Sequence, residues 1–158
     1  MLRLVLATKK ADLVTNNITD FTCSSYDKQN ILEALSKCEK AIESGIYIRK
    51  CLFLVENSTI KIGCYLDAAT DIKFCTLNII QEEAEYTEVN QMLKLATTYS
   101  LDNLMMETVC FQAPKDNKIY LNAALENNFL LDDLEDNHTE TVCYLKDRTL
   151  TNAKNSIR

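Results

Sequence analysis

Residues 104–129 read LMMETVCFQAPKDNKIYLNAALENNF, and this stretch decides the fold prediction. The β-prone residues from 104 to 111 predict a buried strand, and Pro114 with the two residues after it opens a helix that runs to about Asn127. Asn128 is expected to end that helix, because asparagine is the commonest substitute for glycine in the left-handed conformation. The stretch therefore predicts a strand, a helix and a sharp stop.

The residues before this stretch predict a sheet and a further helix. Three β-rich runs, separated by good turn residues, predict an antiparallel meander over 47–55, 59–66 and 72–80. A helix is then expected from Thr87, because apolar residues recur at helical spacing as far as Tyr99.

The N-terminal part adds three elements. We expect a strand over 2–6, a polar connector over 11–21, and a helix that follows Ser24 and Ser25 and ends at Gly45.

The C-terminal part closes the sheet. Residues 129–131 and 141–145 predict two strands joined by an acidic hairpin. We expect one α/β (α+β) domain over residues 1–146, a mixed, mostly antiparallel sheet flanked by about three helices, followed by a polar tail over 147–158.

Composition narrows the function classes. The chain has 158 residues with two glycines and one proline, too few for the glycine-rich loops of nucleotide-binding proteins. The formal net charge is −6 and no basic stripe is present, so nucleic acid is not an expected partner. No apolar run approaches the roughly 20 residues that cross a bilayer, and no signal sequence is evident. We therefore expect a cytoplasmic protein, with the nucleus possible, and no membrane partner.

Seven cysteines and one histidine, His138, are the candidate metal ligands and nucleophiles. The cysteines are scattered without a C-x-x-C pair, so we expect reduced, buried thiols. The acidic residues near His138 are expected to be surface residues; they are Asp132, Asp133, Glu135 and Asp136. A dyad of His138 and Cys143 is disfavoured, because strand alternation places Cys143 on a buried face. We expect no cofactor, no metal and no catalytic residue.

The order of elements resembles the Gcn5-related N-acetyltransferase fold. In that family the strand that enters the second helix reads roughly V-x-P-E-x-R/Q-G-x-G-I/V-G/A-x-x-L-L and supplies amides to the pyrophosphate of acetyl-CoA. Ile79 stands at the valine and Met92-Leu93 at the leucine pair, whereas Ala84 stands at the Arg/Gln position. The small-residue positions hold Glu85, Thr87 and Val89. The resemblance implies the fold, with cofactor binding lost.

A second family signature, N-x-x-A-x-x-x-Y-x-x-x-G-F, matches the helix before Phe129. Asn117, Asn128 and Phe129 fall at the family spacing, but the tyrosine that serves the family as general acid is Ala124 here. Tyr120, one turn earlier, could take that role only if a cofactor site were present. Because both chemical positions are lost, the resemblance implies a fold kept for binding.

Residues 72–146 look like ornithine decarboxylase antizyme, a family that uses this fold without acetyl-CoA. The matching segments are 76–80, 93–96, 109–111, 115–116 and 128–129. This resemblance implies a non-catalytic regulator of polyamine synthesis. Such a protein would bind the ornithine decarboxylase monomer, block its dimerisation and promote its degradation by the proteasome.

The expected partner-binding residues are Glu82, Glu83, Glu85 and Glu88, which crowd the start of the second helix. As solvated residues they also suit the helix dipole. The antizyme resemblance implies that they capture a basic segment of the decarboxylase. Two alternatives stay open: a divergent N-acetyltransferase that uses acetyl-CoA, and a non-catalytic domain with an unrelated partner.

Overall fold

The computed structural model describes residues 2–21, 25–41, 47–82, 84–131 and 141–147. The strands in these residues are β1 (Leu2–Ala7), β2 (Asp20–Phe21), β3 (Tyr47–Glu56), β4 (Thr59–Ala69), β5 (Phe74–Ile79), β6 (Thr108–Pro114), β7 (Leu130–Leu131) and β8 (Thr141–Asp147). The helices are α1 (Ala11–Thr15), α2 (Ser25–Lys40), α3 (Tyr86–Thr98) and α4 (Lys118–Glu126), and a π-helical segment over Tyr99–Asn103 continues α3.

The strands form one sheet in the order β1-β3-β4-β5-β6-β8-β7, with β2 beside β4. The β5–β6 and β2–β4 pairs are parallel, and the others are antiparallel. The predicted meander is β3-β4-β5, and the prediction of a mixed, mostly antiparallel sheet is confirmed.

Two apolar clusters cover the two faces of the sheet. Alternation along β3 turns Leu52 and Leu54 towards one face and Cys51, Phe53 and Val55 towards the other. The first cluster includes the buried apolar residues of α3 and α4, and the second includes those of α1 and α2. The sheet is therefore a middle layer between two pairs of helices.

A β-bulge lets β4 serve both clusters. The register with β3 shifts between Leu54–Ile62 and Val55–Ile60, which leaves Lys61 as the extra residue. Ile60 consequently joins the cluster of α1 and α2, while Ile62 joins the cluster of α3 and α4. In a regular strand, residues two apart would lie on the same face.

The predicted end of α4 is confirmed. Asn128 has a φ of 65°, in the left-handed region. The Phe129 amide donates to the Ala124 carbonyl at 2.9 Å and the Asn128 amide donates to the Leu125 carbonyl at 3.1 Å, which is the hydrogen-bond pattern of a Schellman motif.

The predicted start of α4 was wrong. The helix was expected to open at Pro114, but Pro114 is the last residue of β6 and α4 begins at Lys118, after the N-cap Asn117.

Two other local predictions were wrong. The expected connector over 11–21 contains α1 and β2, because the Asp12 carboxylate accepts bonds from the Thr8 and Lys9 amides and organises a helical turn. The strand expected from residue 104 begins at Thr108, because the π-helical segment and a left-handed Met105 (φ 58°) come first.

Several expectations lie outside the described residues: the Gly45 helix end, the acidic hairpin over 132–140, and the tail after Asp147. Within the described part of the chain, no helix combines the length and the apolar character that a bilayer crossing needs.

Candidate functional site

The parallel pairing of β5 with β6 covers all of β5 except its last residue. Their parallel register ends at Asn78 and Gln112. Beyond these residues β5 pairs with β4 through Ile79, and β6 pairs with β8 through Pro114. The carboxyl ends of the two parallel strands therefore part just before α3 begins, which is where open sheets containing parallel strands bind ligands.

Gln81, which follows β5, is the centre of a buried polar cluster. Its side chain is only 3% exposed, and its Oε1 accepts the Gly63 amide at 2.9 Å. The Gln81 carbonyl accepts the Tyr120 hydroxyl at 2.5 Å. Its Nε2 is buried and has no hydrogen-bond partner among the residues that the structure describes. These bonds join the middle of β4 to α4 across the end of β5, and they leave both N–H donors of Nε2 unused within that part of the chain.

Asp27, in the first turn of α2, completes this cluster from the other face of the sheet. Asp27 is 5% exposed, and its Oδ1 accepts a hydrogen bond from the Glu82 amide at 3.1 Å. The backbone at Gln81 and Glu82 is thus fixed by groups from α2, β4 and α4. We call Asp27, Gln81 and Tyr120 the polar cluster.

Tyr120 is placed by the start of α4. The Asn117 side chain caps the helix and accepts the Tyr120 amide at 3.1 Å, and the Tyr120 ring packs against Phe111 with centroids 6.2 Å apart. Burial raises the pKa of the Tyr120 hydroxyl, and the nearby carboxylates of Asp27 and Glu82 raise it further. Tyr120 is therefore a protonated hydrogen-bond donor at neutral pH.

Gly63 makes room for the cluster. A Cβ on Gly63 would lie 2.8 Å from Cε1 of Phe53, the residue that faces it across β3 and β4. The Phe53 side chain is fully buried, so it has little space to retreat. Glycine at this position thus allows close packing of the Phe53 ring on the same residue whose amide binds Gln81.

The described acidic residues at the start of α3 differ in their exposure. Glu82 and Glu85 are exposed, whereas Glu88 is half-buried. Burial raises the pKa of the Glu88 carboxyl, with Glu85 and Glu56 adding to the effect and Lys61 opposing it. Glu83 lies outside the described residues. We call Glu82, Glu85 and Glu88 the acidic turn; whether it binds a basic partner stays a prediction.

The first turn of α3 has no side-chain cap. The N-cap is Glu85, not the predicted Thr87, and its side chain makes no hydrogen bond to the helix. A helix leaves its first amides without intrahelical partners, and their partial positive charge favours anions. An open groove of about 470 Å³ lies beside this end of α3, lined by Tyr86 and by Asn122, Leu125 and Glu126 of α4.

The described residues contain no group of three His, Cys, Asp or Glu side chains that could hold a metal ion. His138 and its acidic neighbours lie outside these residues.

The fold is similar to that of solved N-acetyltransferases. PseH from Campylobacter jejuni in complex with acetyl coenzyme A has a TM-score of 0.60 and 14% identity, covering 94% of this chain and 99% of PseH. Mutant forms of the spermidine/spermine N-acetyltransferase SpeG from Vibrio cholerae have a TM-score of 0.62 and 13% identity, covering 98% of this chain and 99% of SpeG. No protein-family model and no curated protein matches the sequence. The likeness confirms the predicted acetyltransferase fold.

The antizyme prediction is wrong. PseH and SpeG match over almost the whole chain and are N-acetyltransferases, and neither points to a decarboxylase regulator. The expectations of a non-catalytic decarboxylase inhibitor and of no enzyme activity are overturned with it, whereas ornithine decarboxylase as a binding partner stays an untested prediction. The short antizyme-like segments misled because they contain buried core residues, such as Leu93, Val109 and Phe111, which the fold itself requires.

Sequence reasoning missed Asp27, Gln81 and Gly63 as site residues and considered Tyr120 only as a replacement acid. One signal was present: Gln81 directly follows the β-rich run that ends at Ile80, at the carboxyl end of a strand. Nothing in the sequence indicates that Asp27, more than fifty residues earlier, would bind the backbone of Glu82.

Proposed function

We propose that this chain is a divergent N-acetyltransferase, which transfers the acetyl group of acetyl-CoA to an amine. The observation that carries the proposal is the polar cluster, buried where β5 and β6 part and next to the uncapped start of α3. The acetyl-CoA complex of PseH, which has the same fold, supports this choice of cofactor.

The residues present can hold acetyl-CoA. The open amides of Tyr86, Thr87 and Glu88 suit its phosphates, and the groove between Tyr86 and α4 suits its extended arm. Glu82 and Glu85 are exposed, so their carboxylates can extend into solvent rather than lie on these amides. The acidic turn should therefore weaken phosphate binding, but it does not block the site.

Acetyl-CoA, when bound, supplies an acetyl group activated as a thioester. The contribution of this chain is then to position a hydrogen-bond donor in a dry site. Tyr120 stays protonated because its pKa is raised, so its hydroxyl can stabilise developing negative charge after it leaves the Gln81 carbonyl. Asp27 acts as a positioning residue, because it fixes the Glu82 backbone.

The expected acceptor is a cationic amine. The formal net charge of −6 and the exposed carboxylates of Glu82 and Glu85 favour the approach of a cation. SpeG acts on spermidine and spermine, so spermidine is the first amine to test. We place the protein in the cytoplasm or nucleus, because buried thiols fit a reducing compartment.

The test has two parts. Acetyl-CoA binding is measured by calorimetry, and release of the free thiol is then followed with spermidine and with a lysine-containing peptide. Binding with a Kd below about 1 mM and amine-dependent thiol release are expected. Tyr120→Phe should lower kcat by about 10²–10³ and leave the acetyl-CoA Kd within about threefold, because the lost donor acts on developing charge.

The matched control is Tyr99→Phe. The Tyr99 hydroxyl accepts Lys50 Nζ at 2.8 Å, so this variant also loses a bonded hydroxyl, but in another part of the fold. It should keep the wild-type kcat. Absence of acetyl-CoA binding at about 1 mM would reject the proposal, and equal losses in the two variants would reject the role of Tyr120.

A further inference from the structure

Two cysteines face each other on the side of the sheet opposite to α3 and α4. Cys38 of α2 and Cys51 of β3 both belong to the apolar cluster of α1 and α2. Their sulfur atoms are 3.8 Å apart and share a hydrogen bond. A disulfide needs about 2.0 Å between the sulfurs, so modest side-chain rotation would bring them to bonding distance.

The two thiols have different electrostatic surroundings. The hydrogen bond shared with Cys51 lowers the pKa of Cys38, and the Arg49 guanidinium also lowers it, against the opposing effects of burial and of the Asp67 carboxylate. The same hydrogen bond and burial raise the pKa of Cys51. Cys38 is therefore the nucleophilic thiol of the pair, and Cys51 is the thiol that keeps its proton.

Cys38 is only 1% exposed, so a small oxidant must approach it through a cavity. This residue lines a cavity of about 230 Å³, and the other lining residues include Thr8, Tyr47, Arg49 and Lys50. A water molecule occupies about 30 Å³ of liquid, so the cavity has room for a peroxide. Tyr47 at its edge is exposed to solvent, and Arg49, which pairs with Asp67 at 3.3 Å, brings a positive charge.

We propose that Cys38 and Cys51 are a site of oxidation by hydrogen peroxide, which converts the pair to an intramolecular disulfide. The Cys38 thiolate attacks one peroxide oxygen, the O–O bond breaks, and Cys38 becomes a sulfenic acid while hydroxide leaves. The Cys51 sulfur then attacks Cys38 Sγ. The S–S bond forms, the S–O bond breaks, and the departing hydroxide takes the Cys51 proton as water. Two thiols lose two electrons, and one peroxide is reduced to two waters.

Cys64 and Cys75 serve as internal controls in the same molecule. Both are fully buried, and burial raises the thiol pKa to about 12 for Cys64 and about 11 for Cys75. They should react with peroxide at least about tenfold more slowly than Cys38, because the thiolate is the reacting form.

The experiment treats the folded wild-type chain with peroxide, removes the excess with catalase, denatures, alkylates and maps the peptides by mass spectrometry. We expect the Cys38 and Cys51 peptides to be cross-linked, about 2 Da lighter than the two thiol peptides and separable by dithiothreitol, while Cys64 and Cys75 are alkylated. In Cys51→Ser, dimedone should label Cys38; in Cys38→Ser, Cys51 should stay a thiol.

Alkylation of Cys38 and Cys51 as complete as that of Cys64 and Cys75 would overturn the proposal. A cross-link of either residue to another cysteine would overturn it as well. The wild-type peptide map decides the question even if a serine variant does not fold.

Discussion

The polar cluster and the acidic turn are neighbours in the chain but have opposite environments. Gln81 is 3% exposed and bonded through both its side chain and its carbonyl, whereas Glu82, the next residue, is exposed. The Glu82 amide is nevertheless held by Asp27. The backbone at Glu82 thus belongs to the cluster, while the residue itself is exposed to solvent.

This difference shows which kind of polar residue marks a site. Charged residues at a helix start need only solvent and a favourable dipole, so they carry little information about function. A buried uncharged polar group must find partners, and its burial costs free energy where it does not. Gln81 Nε2, which has no partner in the described part of the chain, is such a group, and it distinguishes the cluster from the acidic turn.

The largest effect is expected from Gly63→Ala, which breaks the packing that supports the polar cluster. The added Cβ would approach the Phe53 ring to 2.8 Å. We expect a loss of about 1–3 kcal/mol in the free energy of unfolding, measured by urea denaturation, because the fully buried ring cannot move away freely.

A second substitution separates this clash from other causes. In the Gly63→Ala background, Phe53→Leu should cost less than it does in the wild type, because the smaller side chain relieves the clash. Additive effects of the two substitutions would mean that the Phe53 ring does not limit the space at Gly63.

The second prediction concerns the hydroxyl of Tyr120. Tyr120→Phe removes its bond to the Gln81 carbonyl and should lower the free energy of unfolding by about 0.5–1.5 kcal/mol at neutral pH. The pKa of Tyr120 is raised in the folded state above its ordinary value of 10.0. Just above pH 10 the folded chain therefore keeps a hydroxyl proton that the unfolded chain releases. The stabilisation that the Tyr120 hydroxyl contributes is therefore fully present below pH 10. It is lost as the pH rises above 10 and the folded chain also releases this proton.

The stability difference between the wild type and Tyr120→Phe should consequently narrow above pH 10. Tyr47→Phe removes an exposed hydroxyl and should stay within about 0.5 kcal/mol of the wild type throughout. A constant difference between the wild type and Tyr120→Phe across this pH range would contradict the raised pKa.

The fold could be predicted because its signals are local. The apolar spacing of α3 and α4, the turn residues of the meander and Asn128 each act over a few residues. The predictions failed where distant or irregular backbone decides the structure. The bulge at Lys61 and the π-helical segment after Thr98 have no simple spacing pattern.

The site could be predicted only in part, because its contacts link residues far apart in sequence. Tyr120 reaches Gln81 over 39 positions, and Asp27 reaches Glu82 over 55. Asp27 also lies in the first turn of a helix, where an acidic residue is expected for the dipole alone. The prediction relied on charge density and therefore selected the acidic turn. The residues that the structure brings together are those of the neighbouring polar cluster.

The smallest effect on stability, and the sharpest test of the contrast, is expected from Glu82→Gln combined with Glu85→Gln. Both side chains are exposed, so the free energy of unfolding should stay within about 0.5 kcal/mol of the wild type. If the α3 amides bind the phosphates of acetyl-CoA, removing two nearby negative charges should tighten binding about threefold to tenfold at low ionic strength, and salt should reduce the gain. Glu39→Gln, an exposed carboxylate of α2, is the matched control and should leave the acetyl-CoA Kd unchanged. Unchanged or weaker binding in the double variant would place the phosphates away from the acidic turn, because like charges near the cofactor must oppose its binding.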